Sequence, residues 1–210
     1  MKIMVDLDRV VFDCPSFLYW LANTFFSRTS LYRQLKYHEV DASEVQKYFN
    51  LLRFIKETRA ENFVEIDGAV GILQKWNLQG IKIHFVTSRP NLKSLQKSAV
   101  DWLNENDIAY EKLIYACTNK PMYCMKSGID IMVDDTLQNC VQSSRLRVMP
   151  VWFQPKQTEK TKRISSWLTT VSTWEEIDNV VQQVFEERKR RFSLQRNLSC
   201  MHSEDFEGEQ

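Results

Sequence analysis

Short apolar runs ending in acids or hydroxyls alternate along this chain with longer stretches of helical periodicity. Lys2-Ile3-Met4-Val5-Asp6 reads as a buried strand closing on a carboxylate. Further strands are expected over Ile81 to Val86, Lys112 to Tyr115 and Ile129 to Val133, with Val148 to Phe153 as the last. Between them the apolar positions recur every three or four residues. Phe17, Trp20, Leu21, Thr24 and Phe25 follow Pro15, which suits a first helical turn. Val45, Tyr48, Phe49, Leu52 and Ile55 trace one face behind the capping-box pattern Asp41-Ala-Ser-Glu44.

The later helices read in the same way. One starts near Asp67, carries Val70, Leu73 and Trp76, and stops at Gly80. Asn91 opens another, with Leu92, Leu95, Ala99, Trp102 and Leu103 inward, and a short one lies around Pro121 to Ser127. Thr173-Trp-Glu-Glu176 is a second capping box, ahead of Ile177, Val180, Val181, Val184 and Phe185.

Strands and helices in this alternation predict an α/β fold with a mainly parallel sheet. The interval between the first two strands holds too much helix for a single crossover. Residues 14–65 are therefore read as an inserted helical subdomain, and residues 1–13 with 66–185 as the core. Beyond 185 the periodicity fades, so residues 186–210 are expected to form a flexible tail.

Composition narrows the chemistry. Only five glycines occur, and no arrangement of them spells G-x-G-x-x-G or G-x-x-x-x-G-K-[ST]. Gly-rich phosphate cradles are excluded, so any phosphate must be held by a turn and side chains. Hydrophobic residues, at 43%, suffice for a core, and the net charge of +1 provides no overall field for nucleic acid or an anionic membrane. No apolar run is long enough to span a bilayer and the charged start does not resemble a signal peptide, so a cytoplasmic location is expected. The five cysteines contain no C-x-x-C pair and read as free thiols.

In open parallel sheets, ligands bind beyond the carboxyl ends of the strands. Asp6 and Asp8 follow the first strand, Thr87, Ser88 and Arg89 the second, and Asp134 and Asp135 a later one, while Lys120 opens the short helix between. Carboxylates brought together repel unless a cation lies among them, and hard oxygen donors suit Mg²⁺. One Asp can then attack phosphorus while another moves protons. Lys126 competes with Lys120 for the role of balancing the phosphate.

Val5-Asp6-Leu7-Asp8-Arg9-Val10-Val11-Phe12-Asp13, Phe85-Val86-Thr87-Ser88-Arg89-Pro90, Lys120 and Ile131-Met132-Val133-Asp134-Asp135 resemble, in order, the four motifs of the haloacid dehalogenase superfamily of phosphatases. Within it, the chain is similar to the 5′-nucleotidase, deoxyribonucleotidase-like branch over roughly residues 1–185, which implies a Rossmann-like core with residues 14–65 as a small helical cap inserted after the first strand. The resemblance implies that Asp6 is nucleophile and Mg²⁺ ligand, and that Asp8 is general acid/base with its backbone carbonyl on the metal. It implies that Thr87, Ser88, Arg89 and Lys120 bind phosphate and that Asp134 and Asp135 complete the metal shell. Arg9 stands where relatives often have a small residue. The expected activity is a Mg²⁺-dependent phosphomonoesterase working through an aspartyl-phosphate on nucleoside monophosphates or similar small esters. A phosphatase of sugar phosphates or nucleic-acid ends, or a catalytically silent phosphate-binding regulator, are the alternatives. The implied partner is a small phosphorylated substrate, without membrane or nucleic acid.

Overall fold

The computed structural model describes residues 1–13, 63–89, 91, 93–155 and 168–204. In chain order these form β1 (Lys2–Val5), β2 (Phe12–Asp13), β3 (Val64–Glu65), α1 (Ala69–Leu78), β4 (Lys82–Val86), α2 (Lys93–Glu105), β5 (Lys112–Ile114), α3 (Lys120–Ser127), β6 (Ile131–Asp134), α4 (Leu137–Arg145), β7 (Met149–Phe153), β8 (Thr169–Val171) and α5 (Trp174–Glu204).

Six strands make one parallel sheet in the order β5-β4-β1-β6-β7-β8. The expected α/β architecture is therefore the observed one. The chain builds outward from β1 to β4 and β5, then crosses back to β6 on the other side of β1. This is a topological switch point, where the loops after β1, β4 and β6 diverge and leave a crevice. The register is continuous across the centre: Val5 pairs with Phe85 on one side and Val133 on the other. The residues after these three strands thus emerge at one edge, side by side.

Period-two alternation of side chains divides the core between the faces of the sheet. Ile3, Val5, Ile83, Phe85, Ile131, Val133, Val151 and Phe153 pack with Leu73, Trp76, Leu103, Trp174, Ile177 and Val181. Met4, Val86 and Met132 join a second cluster with Cys124, Cys140, Val148 and Leu168. Both faces are covered, as a parallel sheet requires. The indole of Trp174 donates to the Val10 carbonyl at 2.8 Å, tying the start of α5 to the loop after β1.

The second capping box is present, with its return arm shifted. Thr173 Oγ1 accepts from the Glu176 N–H at 3.3 Å, while Glu176 Oε2 reaches the Ser172 N–H at 2.7 Å. Four departures from expectation have physical reasons. Strand β8 extends the sheet beyond β7, but its three residues, Thr169–Val171, are too few to show alternation. Helix α4, LQNCVQSSR, is mostly polar and buries only Cys140 and Ser143, so no apolar stripe announces it. Val64–Glu65 returns antiparallel onto Phe12–Asp13, a hairpin whose arms stand about fifty residues apart in sequence. Helix α5 continues to Glu204, carrying helix through residues 186–204, which were expected to form a flexible tail. Residues 186–191 are all charged, and ion pairs hold this stretch: Arg188 meets Asp130 at 2.5 Å, and Lys189 meets Glu186 at 3.0 Å within the helix. Of the expected cap, residues 14–62 lie outside the described residues, as do its two helices and residues 205–210.

Candidate active site

The loop after β1 begins with Asp6, whose backbone N–H still donates to the Val133 carbonyl at 3.0 Å. Its carboxylate is thereby fixed at the sheet edge, and Oδ1 accepts from the Leu7 N–H at 2.8 Å. The chain then turns sharply. The N–H groups of Val10, Val11 and Phe12 all converge on the Leu7 carbonyl, and Arg9 takes the left-handed conformation with φ of 58°. A side chain there costs about 1 kcal/mol relative to glycine. The turn lifts Asp8 over the edge.

Three charged groups interlock beneath. Lys120, at the first turn of α3, places Nζ 2.6 Å from Asp6 Oδ2 and 2.9 Å from Asp134 Oδ2. All three residues are buried. Lys126 is exposed on the last turn of α3, so Lys120 is the ammonium at the carboxylates. Asn119 caps that helix, accepting from the Met122 N–H at 3.0 Å, and Pro121 suits its first turn. Asp134 also accepts from the Thr136 N–H at 2.8 Å and from the Asn139 amide, 3.1 Å from each oxygen. Asn139 was absent from the sequence-based set because α4 itself was unread. Asp135 pairs with Arg9 at 2.7 Å, and the Trp152 indole donates to its carbonyl at 2.9 Å.

The turn after β4 is held from within. Thr87 is 1% exposed; its Oγ1 accepts from the Arg89 N–H at 3.1 Å and lies 3.5 Å from Asp8 Oδ2. Ser88, exposed, donates to the Cys117 carbonyl at 3.2 Å. The Arg89 guanidinium forks onto Asp8, with Nε 2.8 Å from Oδ2 and Nη2 2.5 Å from Oδ1. All eight expected side chains thus gather along one edge: Asp6, Asp134 and Lys120 at its floor, Asp8 with Thr87 and Arg89 on one side, Asp135 on the other, and Ser88 at the rim.

The floor is short of positive charge. Burial pushes the Asp6 carboxyl up to about 8, with Asp134 and Asp8 adding to the rise and Lys120 opposing it. Burial works against the charge of Lys120, yet Asp6 and Asp134 together hold its ammonium above the ordinary range. Asp135 is also raised, by burial first, with Arg9 acting against the shift. Asp6, Asp134 and Asp135 each bring one carboxylate oxygen within 4.8 Å of the others. An all-oxygen, multiply anionic donor set of that span fits a hard divalent cation such as Mg²⁺. The Asp8 side chain is not in this cluster, so only its backbone carbonyl remains for the metal role that the resemblance implies.

The same order of motifs recurs in a known family. Residues 1–185 match the model of the family described as 5′ nucleotidase, deoxy (Pyrimidine), cytosolic type C protein. The chain belongs to this family. It is a phosphatase/nucleotidase of the haloacid dehalogenase type, and its similar structures share that fold. A haloacid dehalogenase-like family hydrolase of Xanthomonas campestris superposes with a TM-score of 0.61 at 10% identity, covering 91% of this chain and 94% of that one. A β-phosphoglucomutase of Clostridium difficile gives 0.58 at 15%, covering 89% and 97%. A HAD-hydrolase of Bacillus subtilis, YfnB, whose structure is described as bound to magnesium, gives 0.52 at 14%, covering 85% and 97%. No curated protein matches the chain. Among the described residues, no helix is long and apolar enough to cross a membrane.

Proposed function

We propose that this 5′-nucleotidase family member is a cytoplasmic, Mg²⁺-dependent phosphomonoesterase that cleaves nucleoside monophosphates through an aspartyl-phosphate on Asp6. The observation that carries this reading is the Asp6 carboxylate, anchored at the sheet edge against Lys120 and flanked by Asp134, Asp135 and Asp8. Mg²⁺ held by Asp6, Asp134, Asp135 and the Asp8 carbonyl would offset carboxylate and phosphate charge and keep Asp6 ionised. Asp6 attacks phosphorus; an oxygen–phosphorus bond forms to its carboxylate as the ester oxygen–phosphorus bond breaks. Asp8 gives its proton to the departing oxygen. Water then attacks the acyl phosphate, Asp8 takes the proton from that water, and Asp6 leaves as a carboxylate. Lys120 holds Asp6 and Asp134 in place throughout and faces the phosphate with positive charge, while Thr87, Ser88 and their backbone N–H groups offer donors to its oxygens.

The substrate class follows the family's description as a deoxy, pyrimidine 5′ nucleotidase. The test is release of orthophosphate with Mg²⁺ across nucleoside monophosphates, sugar phosphates and 5′- or 3′-phosphorylated oligonucleotides. Nucleoside monophosphates are expected to give a kcat/KM at least tenfold above the rest. Preference for sugar phosphates or oligonucleotide ends would overturn the substrate. Ligand-induced stabilisation without turnover would overturn the enzyme mechanism.

A further inference from the structure

The Thr-Ser-Arg turn was expected to direct Arg89 at phosphate, but its guanidinium is committed elsewhere. Arg89 Nε lies 3.0 and 2.8 Å from the two oxygens of Asp8, and Nη2 is 2.5 Å from Oδ1. This is fork-on-carboxylate geometry, which fixes both distance and plane. One wall of the fork is aromatic. The guanidinium carbon sits 4.7 Å from the ring centre of Phe63 and 5.1 Å from that of Phe12. Those rings stack on each other at 4.3 Å, and Trp102 packs edge-on against Phe12 at 5.1 Å. All three aromatics are buried or nearly so, which makes the wall stiff.

The backbone of Arg89 is pinned as well. Its N–H donates to Thr87 Oγ1, and its carbonyl accepts from the Ala116 N–H at 2.8 Å. The side chain is 12% exposed. A phosphate-binding arginine at the mouth of a site needs reach and open donors, whereas this one is braced at both ends and aimed at a carboxylate. The hairpin of β2 and β3 supplies the brace: Phe12 is in β2, and Phe63 immediately precedes β3. Asp8 itself bridges to Phe12 through the backbone, so the carboxylate and its support belong to one local unit.

We propose that Arg89 is a positioning residue, which together with the Phe12–Phe63 wall sets the direction of the Asp8 carboxylate. An arginine fork offers only donors. It therefore fixes the plane of the Asp8 carboxylate, and that direction counts when Asp8 takes a proton from water, the half of the reaction that releases phosphate from Asp6. This inference rests on the proposed function. It assigns Arg89 to turnover of the acyl phosphate and not to substrate affinity.

Arg89→Met retains the length and the contact with the rings while removing the fork. With Mg²⁺ and p-nitrophenyl phosphate, whose leaving group needs no proton, the variant is expected to keep a fast nitrophenolate burst. Its steady-state rate should fall about 100-fold, the cost of a misdirected catalytic group. The inhibition constant of orthophosphate should stay within about twofold of the wild-type value. Arg89→Lys, which keeps charge without the fork, should remain at least about tenfold slow in steady state. The proposal is overturned if Arg89→Met weakens orthophosphate inhibition tenfold or more and slows the burst, or if Arg89→Lys restores the rate, because either outcome marks a phosphate ligand. Absence of turnover in the wild type, or its persistence in Asp6→Asn, overturns the proposed function and this inference with it. A thermal melt within a few degrees of wild type establishes that the variants are folded.

Discussion

Lys120→Met is the perturbation that probes the floor of the site most directly. In the native protein one ammonium lies 2.6 Å from Asp6 and 2.9 Å from Asp134, with all three groups buried. At an effective dielectric constant of about 20, each contact is a gross attraction of roughly 6 kcal/mol. Desolvation cancels much of that, so the pair itself is of modest net value. Removing one partner is different, because two carboxylates are then left buried without a cation. The expected loss is about 3–5 kcal/mol. Proton uptake by Asp6, already displaced upward by burial, limits the loss to the lower end of that range. Urea denaturation in EDTA at neutral pH measures it. The sharper readout is the cycle with Asp6→Asn. Neutralising Asp6 should destabilise the wild type, which loses a partner for Lys120, and should stabilise Lys120→Met, which loses an uncompensated charge. The coupling should be about 2–3 kcal/mol. A loss below about 1 kcal/mol, with Asp6→Asn acting alike in both backgrounds, would refute the reasoning.

Two further predictions concern residues around the site. Asn139→Ala removes two hydrogen bonds to Asp134 from α4 and should cost about 1–3 kcal/mol by denaturation; phosphate release should drop with it, and unchanged stability would contradict the role assigned to α4. His84 is fully buried in β4, with Nδ1 2.8 Å from the Tyr123 hydroxyl and Nε2 3.5 Å from Glu111. Burial depresses its pKa, Lys112 and Lys2 add to the fall, and Glu111 opposes it. The unfolded chain therefore binds a proton that the folded protein refuses. Stability should be full above about pH 6.5 and decline as the pH drops below it, down to the lowered value in the fold. Denaturation midpoints between pH 5 and 7.5 should slope in the wild type and flatten in His84→Gln, and equal slopes would sink the idea.

The parts of this protein legible in sequence are those where one local signal settles the matter. Strands β1, β4 and β6 are buried on both faces, so each reads as a mainly apolar run, broken in β4 only by His84, and the polar residue that ends it marks the sheet edge. Asp6, Thr87 and Asp134 are found in that way. Asn119 and Gly128 bracket α3 as a cap and a left-handed stop, with φ of 64° at the glycine. The unreadable parts depend on partners distant in the chain. Nothing near Val64 signals that it pairs with Asp13, and nothing near Arg89 signals Phe63 across its guanidinium. The residue type at position 89 suggested phosphate, and tertiary context gave it to Asp8. Arg9 is similar: its left-handed backbone and its pairing with Asp135 arise from the turn closing on Leu7. Helix α4 and the end of α5 were missed because polar helices carry little periodic signal.

The central claim is that Asp6 carries the phosphoryl group, and acid-quenched labelling tests it most directly. With Mg²⁺ and p-nitrophenyl phosphate labelled in the phosphoryl group, Asp8→Asn should form the acyl phosphate and fail to hydrolyse it. The account predicts a stoichiometric nitrophenolate burst and a hydroxylamine-labile label on the chain, which mass spectrometry locates at Asp6 and which Asp6→Asn abolishes. A wild-type protein that turns over while no variant ever holds label, or a label that survives Asp6→Asn, would contradict it.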